Sequence, residues 1–126
     1  MIMIGYKGFD EDFKCRGFQY EVGKTYTYIG GIKICERGFH FCKRLNNVLT
    51  YYPRFYFSFD KQHTYWRTRN RYAIVEALGR YITDDKSKYV TDKIRIIKEL
   101  SEEEMHEILL AEEADMFKRL LHMEGN

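Results

Sequence analysis

The last quarter of the chain is predicted to be one long helix, and no other segment constrains the fold as strongly. Ser101 and Glu104 form a capping box, in which each side chain can hydrogen-bond the backbone amide of the other residue. Acidic residues fill the first turns, whereas Lys118 and Arg119 lie near the end, as the helix dipole favours. This pattern predicts a helix over residues 101–123.

The predicted helix carries more apolar surface than one packing face needs. Two adjacent apolar stripes cover about half of its circumference, more than the roughly 100° stripe of an ordinary surface helix. The stripes are Met105, Leu109, Met116, Leu120 and Met123, and beside them Leu110, Ala114, Phe117 and Leu121. We therefore expect the helix to cover a sheet and to offer its remaining apolar surface to a partner or, as a homodimer, to a second copy.

The chain before this helix is predicted to consist mainly of β-strands. Short apolar or alternating runs are separated by glycines and other turn-forming residues, and the runs 18–21 and 25–29 have the spacing of a hairpin. The full set of predicted strands is 2–6, 18–21, 25–29, 39–42, 72–78 and 90–97. Leu45, Val48 and Leu49 fall at helical spacing, and Pro53 ends that short helix.

These elements predict an α+β fold. A mostly antiparallel β-sheet of about six strands would carry the short middle helix and be covered by the long amphipathic C-terminal helix. A chain of 126 residues can bury a core without metals or disulfides, and no low-complexity linker divides it. We expect a single domain over residues 1–126, with a β-rich body at 1–98 and the helix at 101–123.

The cellular location is predicted from the start of the chain and from its cysteines. The apolar start covers only residues 1–4, which is too short for a signal peptide or a membrane span. Three cysteines without a secretory signal favour free thiols in a reducing compartment. We expect a cytoplasmic protein that does not associate with a membrane.

The formal net charge of +2 conceals a strongly basic body. Residues 99–126 carry nine acidic and two basic side chains, a net −7, which leaves +9 for residues 1–98. Such asymmetry is typical of a protein with an anionic partner or of an electrostatic contact within the chain itself. The acidic part could equally be a solvated helix face.

Residues 54–70 hold the densest mixture of arginine and aromatic side chains. Aromatic rings stack on bases and guanidinium groups pair with phosphates or carboxylates, so the mixture suits a nucleotide, a nucleic acid or an acidic protein surface. We predict an extended β-hairpin with Phe55, Phe57 and Phe59 on one face and Tyr56, Ser58 and Asp60 on the other. The candidate binding residues are Arg54, Tyr56, Tyr65, Trp66, Arg67, Arg69 and Arg71. The simpler alternative is that these aromatics only favour strand formation.

Other patterns favour neither a metal site nor a cofactor site. Cys35, His40 and Cys42, with Cys15 upstream, offer atoms that could bind zinc, but zinc sites normally show close-spaced ligand pairs on turns. A Cys42–His40 nucleophile pair lacks a third member. The glycines match neither a phosphate loop nor a dinucleotide fingerprint. We therefore predict free cysteines, no metal and no cofactor.

Glu76 interrupts the apolar run 72–78. A carboxylate in such a strand is costly unless it is paired or has a functional role. Arg71 or Arg95 could pair with it, so a structural salt bridge is the first interpretation and a functional role the second.

The chain resembles a domain family of unknown function that is found in many bacteriophages and their host bacteria. The resemblance lies in the blocks GYKGFD, CRGFQYEVGKTY, CERGFHFC, YYP, RYAIVEALG and TDKIRI, between residues 5 and 97. It implies a phage or prophage accessory protein and assigns no catalytic residues. Against the short connection expected in that family, residues 54–70 form an insertion, which could be a functional surface added to a scaffold.

Two classes of function follow, and a virion or structural role is a third. The first is a binding protein without catalysis that acts against host defence, by blocking a nuclease such as a CRISPR effector or by sequestering a nucleotide signal. The second is an enzyme, because the order of elements is similar to that of ADP-ribosyltransferases. Lys7 then stands where an arginine or histidine is wanted, and the paired acidic motif near the end is missing. The active-site residues in that case are Tyr6, His40, Tyr52 and Glu76.

Overall fold

The centre of the fold is a four-stranded antiparallel sheet in the order β1, β8, β11, β4. The structure is a computed structural model that describes residues 2–57 and 65–124. The four strands are β1 at Met3–Phe9, β4 at Thr25–Thr27, β8 at Arg71–Ala77 and β11 at Lys93–Glu99. Tyr6 lies opposite Ile74 in the β1–β8 pair, and Arg95 lies opposite Glu76 in the β8–β11 pair.

A second sheet of three strands lies beside the first, and a backbone bridge between Tyr6 and Cys42 links the two. Its strands are β5 at Phe39–Phe41, β10 at Tyr89–Thr91 and β9 at Tyr81–Thr83, in that order. The amide of Tyr6 donates to the carbonyl of Cys42 at 2.7 Å, and the amide of Cys42 donates to the carbonyl of Tyr6 at 2.9 Å. Gly5 permits this approach, because a Cβ there would lie 2.6 Å from the Phe41 ring.

Two small antiparallel pairs complete the strands. β2 at Lys14–Cys15 pairs with β3 at Phe18–Gln19, and β6 at Phe55–Phe57 pairs with β7 at Tyr65–Arg67. The β6–β7 pairing agrees with the strand arrangement predicted for residues 54–70. The predicted positions of Ser58, Phe59 and Asp60 lie outside the described residues.

The two helices contact each other. In α2 at Glu102–Glu124 the predicted capping box is present, with the Ser101 amide 3.0 Å from the Glu104 carboxylate and the Glu104 amide 3.1 Å from the Ser101 hydroxyl. The short helix α1 spans Leu45–Tyr51, and its first amides are capped by Glu112 of α2 at 2.6 and 2.9 Å. This cap fixes α1 on the side of the central sheet that carries α2.

Apolar side chains fill both faces of the central sheet, because neighbouring residues of a strand point to opposite faces. On one face Phe9, Val75 and Ile96 are fully buried, together with Phe39 and Phe41 from the second sheet. The other face is covered by helix residues, and its buried members are Cys42, Leu45, Val48, Tyr72, Leu100 and Met105. Each large apolar side chain buried in this way contributes about 1.5–3 kcal/mol.

The predicted α+β class with mostly antiparallel strands is confirmed, but two strand predictions were wrong. Residues 18–21 and 25–29 do not form a hairpin with each other, because β3 pairs with β2 and β4 pairs with β11. The predicted strand 90–97 is divided at Asp92 between two sheets. Within the described residues, no helix has both the length and the apolar character that crossing a membrane requires.

Glu76 lies near an arginine, as the first of the two interpretations of the sequence expects. Its carboxylate lies 3.8 Å from the guanidinium of Arg95, the residue opposite it on β11. Arg71, the other predicted partner, binds Glu99 instead, at 2.6 and 2.7 Å.

Candidate functional site

A cavity of about 300 Å³ opens where β1, β5 and α1 meet. Gly8 makes room for one wall, because a Cβ at that position would lie 2.7 Å from the Tyr52 ring. We call this cavity the basic pocket, after the side chains that distinguish it. Its polar and aromatic lining includes Tyr6, Lys7, Arg16, His40, Phe41, Tyr51, Tyr52 and Lys88, together with the thiols of Cys15, Cys35 and Cys42.

Lys7 is the least expected residue of the basic pocket. It lies on the inward face of β1 and is only 2% exposed. Its Nζ donates to the carbonyl oxygen of His40 at 2.5 Å and lies 5.2 Å from the centre of the Tyr20 ring. Burial lowers the pKa of this amine, although Cys15 opposes the shift. Among the described residues, no carboxylate lies within ion-pair distance of Lys7, so a buried cation there lacks a counter-ion.

His40 stabilises the loop that precedes β5. Its Nε2 accepts a hydrogen bond from the Cys35 amide at 2.8 Å. Burial and the nearby charges of Lys7, Arg16 and Lys88 lower its pKa to about 4, so the ring is neutral at pH 7. The histidine therefore holds the loop before β5 in place, and Cys35 in that loop adopts a positive φ of 67°.

The Tyr52 hydroxyl and the Cys42 thiol of the inner wall are protonated near neutral pH. The Tyr52 hydroxyl donates to the sulfur of Cys15 at 3.2 Å, and burial raises the Tyr52 pKa. Burial also raises the pKa of the Cys42 thiol to about 11. A thiol in that state is a poor nucleophile, which agrees with the sequence argument against a Cys42–His40 pair.

Two further cations lie at the mouth of the basic pocket. The guanidinium of Arg16 donates to the Cys35 carbonyl oxygen at 2.8 Å. Lys88 Nζ lies 3.1 Å from the Cys35 sulfur and 4.5 Å from the centre of the Tyr51 ring. In the described part of the chain neither Arg16 nor Lys88 forms an ion pair. The mouth therefore presents positive charge beside an aromatic ring.

The arginines predicted to bind a ligand through residues 54–70 instead contact carboxylates of this chain. Arg54 and Arg67 both pair with Glu102, at 3.0 Å for Arg54. Arg69 lies 3.4 Å from Glu11, and its side chain is more exposed than those of Arg54, Arg67 and Arg71. Arg71 pairs with Glu99, so each of these arginines has a carboxylate partner in the chain, which is one of the alternatives that the charge asymmetry left open.

The aromatic residues of the same region are still accessible. Tyr56 and Trp66 are each about half exposed, and their ring centres are 6.0 Å apart. The side chain of Tyr65 lies outside the described residues. The β6–β7 pair thus combines exposed rings with arginines that already have partners.

Three of the four residues named for the enzyme interpretation meet in the basic pocket. Tyr6, His40 and Tyr52 all line it, whereas Glu76 does not. Among the residues that the structure describes, none that lines the pocket carries a carboxylate. In the described ranges, no three histidine, cysteine or acidic side chains are grouped so that they could hold a metal ion.

Sequence reasoning missed the residues that give the basic pocket its charge. The sequence marks Lys7 only as a departure from an enzyme motif, and it gives Arg16 and Lys88 no distinguishing pattern. The sequence does contain a signal for Lys7, because alternate residues of a strand face the same way and Lys7 lies between Gly5 and Phe9 on the inward face of β1. No comparable signal exists for Arg16 and Lys88, since loop packing brings them to the mouth.

Comparison with known proteins gives a family without an assigned activity. No curated protein matches the chain. No solved structure matches it either. Residues 3–108 match a family described as a domain of unknown function (DUF7666). The matched segment contains every strand, α1 and every residue of the basic pocket. The chain therefore belongs to the DUF7666 family of domains of unknown function.

Proposed function

We propose that this protein is a binding protein without catalytic activity, and that it captures a small anionic ligand with an aromatic ring, of the nucleotide class, in the basic pocket. The observation that carries the proposal is the convergence of Lys7, Arg16 and Lys88 on one cavity with no ion-pair partner among the described residues. A bound phosphate would supply the missing negative charge.

The energetics of Lys7 favour an anionic ligand. An isolated buried charge costs several kcal/mol, and a bound counter-ion removes much of that cost. Charge-assisted hydrogen bonds from ammonium and guanidinium groups to phosphate are about twice as strong as neutral ones. Arg16 and Lys88 at the mouth would attract the same anion from solution.

The aromatic wall favours a ring on the ligand. Tyr51 and Tyr52 follow each other at the end of α1, and both line the basic pocket. Stacking of a base on an aromatic side chain contributes about 1–3 kcal/mol, whichever base it is. The cavity of about 300 Å³ is at the small end of the usual range for ligand sites, so the ligand is expected to be a mononucleotide rather than a polymer.

The setting proposed for this binding is counter-defence in the cytoplasm of a phage-infected bacterium, because the sequence resemblance implies a phage or prophage accessory protein. Removing a nucleotide signal would silence a host response that depends on it. Blocking a host nuclease is the other mode, and the exposed rings of Tyr56 and Trp66 would anchor such a partner.

A second candidate function is the ADP-ribosyltransferase-like enzyme. The meeting of Tyr6, His40 and Tyr52 in one cavity favours it. The position of Glu76 argues against it, because that carboxylate is on β8 beside Arg95 and does not line the cavity. Consumption of NAD by the purified chain, with loss of turnover in Glu76→Gln, would support the enzyme.

We also propose that α2 pairs with α2 of a second copy. Leu110, Phe117 and Leu121 are each more than half exposed. An antiparallel pairing places the acidic first half of one helix beside Lys118 and Arg119 of the other, so their charges are complementary. Phe117→Glu is expected to convert a dimer into a monomer in sedimentation equilibrium, and a native chain that sediments as a monomer at high concentration would reject the pairing.

Binding to the basic pocket is tested with matched lysines. Lys88 lines the pocket, whereas Lys86 is exposed two residues away and does not. Calorimetric titration with a panel of mononucleotides should show binding that weakens at least tenfold in Lys88→Gln and is unchanged in Lys86→Gln. No binding by the native chain, or equal weakening in both variants, would overturn the proposal.

A further inference from the structure

We propose that the Lys7 amine captures ligands covalently and reversibly, by forming an imine with the carbonyl group of an aldehyde or ketone that also bears a phosphate. This inference rests on the proposed function, since the same basic pocket binds the phosphate. It adds an activity to that pocket, which is capture through a C=N bond.

The surroundings of Lys7 are those of a nucleophilic lysine. Amines become reactive in proteins when they are removed from water or placed near other cations, because both conditions favour the uncharged form. Lys7 meets the first condition with 2% exposure, and it has no carboxylate partner among the described residues. Burial lowers the pKa of Lys7, and Arg16, which lines the same pocket, adds to this effect, whereas Cys15 and Cys42 oppose it.

Exposed lysines of the same chain provide the contrast. Lys24 forms an ion pair with Glu21, and that contact raises its pKa. Such an amine stays protonated near neutral pH and has no free electron pair. Lys7 and Lys24 are therefore expected to differ in reactivity for a reason visible in the structure.

The reaction is balanced without any further reactant. The nitrogen lone pair attacks the carbonyl carbon, a C–N bond forms, and the carbonyl oxygen takes up a proton. The resulting carbinolamine then loses that oxygen as water, together with the remaining amine proton, and leaves the C=N bond. Hydrolysis reverses both steps, so no oxidant or reductant is consumed.

The ligand class follows from the other groups of the basic pocket. Arg16 and Lys88 at the mouth suit a phosphate, and Tyr51 and Tyr52 suit a ring. A carbonyl compound that carries a phosphate, with or without an aromatic ring, can reach Lys7 with its carbonyl group while its phosphate stays at the mouth. Pyridoxal 5′-phosphate has all three features and serves as the probe.

The test is to find which lysine of the native chain reacts. The full chain is mixed with less than one equivalent of pyridoxal 5′-phosphate, reduced with sodium borohydride, and mapped by peptide mass spectrometry. We expect at least tenfold more pyridoxyl label on Lys7 than on Lys24. Labelling of Lys7 no faster than Lys24, or none at Lys7, would overturn the inference.

Two variants and one further ligand separate this inference from the proposed function. Lys7→Arg replaces the amine by a guanidinium group, which does not form an imine, and should lose the imine absorbance, whereas Lys86→Gln should keep it. Pyridoxine 5′-phosphate lacks the carbonyl group. If it binds the native chain while Lys7 escapes labelling, pocket binding stands and imine formation is rejected. If neither compound binds, both proposals fail.

Discussion

The basic pocket and the β6–β7 pair are both built from cations and aromatic rings, and they differ in whether the cations have partners. Arg54, Arg67 and Arg71 near β6–β7 each contact a carboxylate of the same chain. In the pocket Lys7 donates to a carbonyl oxygen and Lys88 lies beside a sulfur, both lie near aromatic rings, and neither has a carboxylate partner among the described residues. Residue composition pointed to the β6–β7 pair as the binding region. A charge without a partner is the better indication of a ligand site, because the cost of its desolvation is not yet compensated.

The largest expected effect is on ligand affinity. The double variant Arg16→Gln/Lys88→Gln removes two charge-assisted contacts and should weaken mononucleotide binding about 100-fold, or about 2.7 kcal/mol. Arg54→Gln/Arg69→Gln is the matched control and should change affinity less than twofold. Calorimetric titration measures both, and a larger loss in the control would move the binding site to the β6–β7 pair.

The second effect is on stability in acid. Because the pKa of His40 is lowered to about 4 from an ordinary 6.5, the unfolded chain binds more protons than the folded chain between those values. The free energy of unfolding should therefore fall as the pH drops from 6.5 to 4. His40→Gln should flatten this part of the profile in urea titrations, whereas His106→Gln on the exposed side of α2 should leave it as it is. An unchanged slope in His40→Gln would contradict the assignment.

The third effect tests the paired cations. Arg71→Gln removes a half-buried guanidinium that binds Glu99 through two nitrogens, and it should lower the free energy of unfolding by about 1 kcal/mol. Arg95→Gln breaks a contact of 3.8 Å and should cost less. Chemical denaturation of the two variants decides the order, and equal losses would mean that the bidentate geometry contributes nothing.

The smallest effect is expected from Lys7→Met. The substitution replaces a buried cation without a partner by an apolar side chain of similar size, so the free energy of unfolding should stay within about 1 kcal/mol or rise. Any increase in the free energy of unfolding of Lys7→Met over the native chain should shrink as the pH rises towards 10.5. Burial lowers the pKa of Lys7 in the folded chain, so the native chain becomes more stable as the Lys7 amine of the unfolded chain is deprotonated. A large loss of stability would mean that Lys7 holds the fold together.

Local signals in the sequence predicted the parts of the fold that depend on neighbouring residues. The capping box at Ser101 and Glu104 and the spacing of Leu45, Val48 and Leu49 correctly placed both helices. Strand partners could not be predicted in this way, because the partner of β4 is β11, far along the chain. Alternation over 90–97 also gave no sign that Asp92 separates two sheets.

The candidate site was harder to predict than the fold. Tyr6, His40 and Tyr52 were named from their resemblance to an enzyme layout, and the structure brings them together. Arg16 has a positive φ of 53° and reaches the mouth only because its loop packs beside Cys35. Conformations of this kind depend on tertiary contacts, which one sequence does not display.

The pair of backbone hydrogen bonds between Tyr6 and Cys42 allows ligand binding in the basic pocket to be detected by hydrogen exchange. The two backbone hydrogen bonds there link β1 to the residue that follows β5, and both residues also line the cavity. A ligand that contacts both Tyr6 and Cys42 would stabilise these two hydrogen bonds. Deuterium should then enter the amides of Tyr6 and Cys42 more slowly when the ligand is present, while amides at the far end of α2 exchange at the same rate as before.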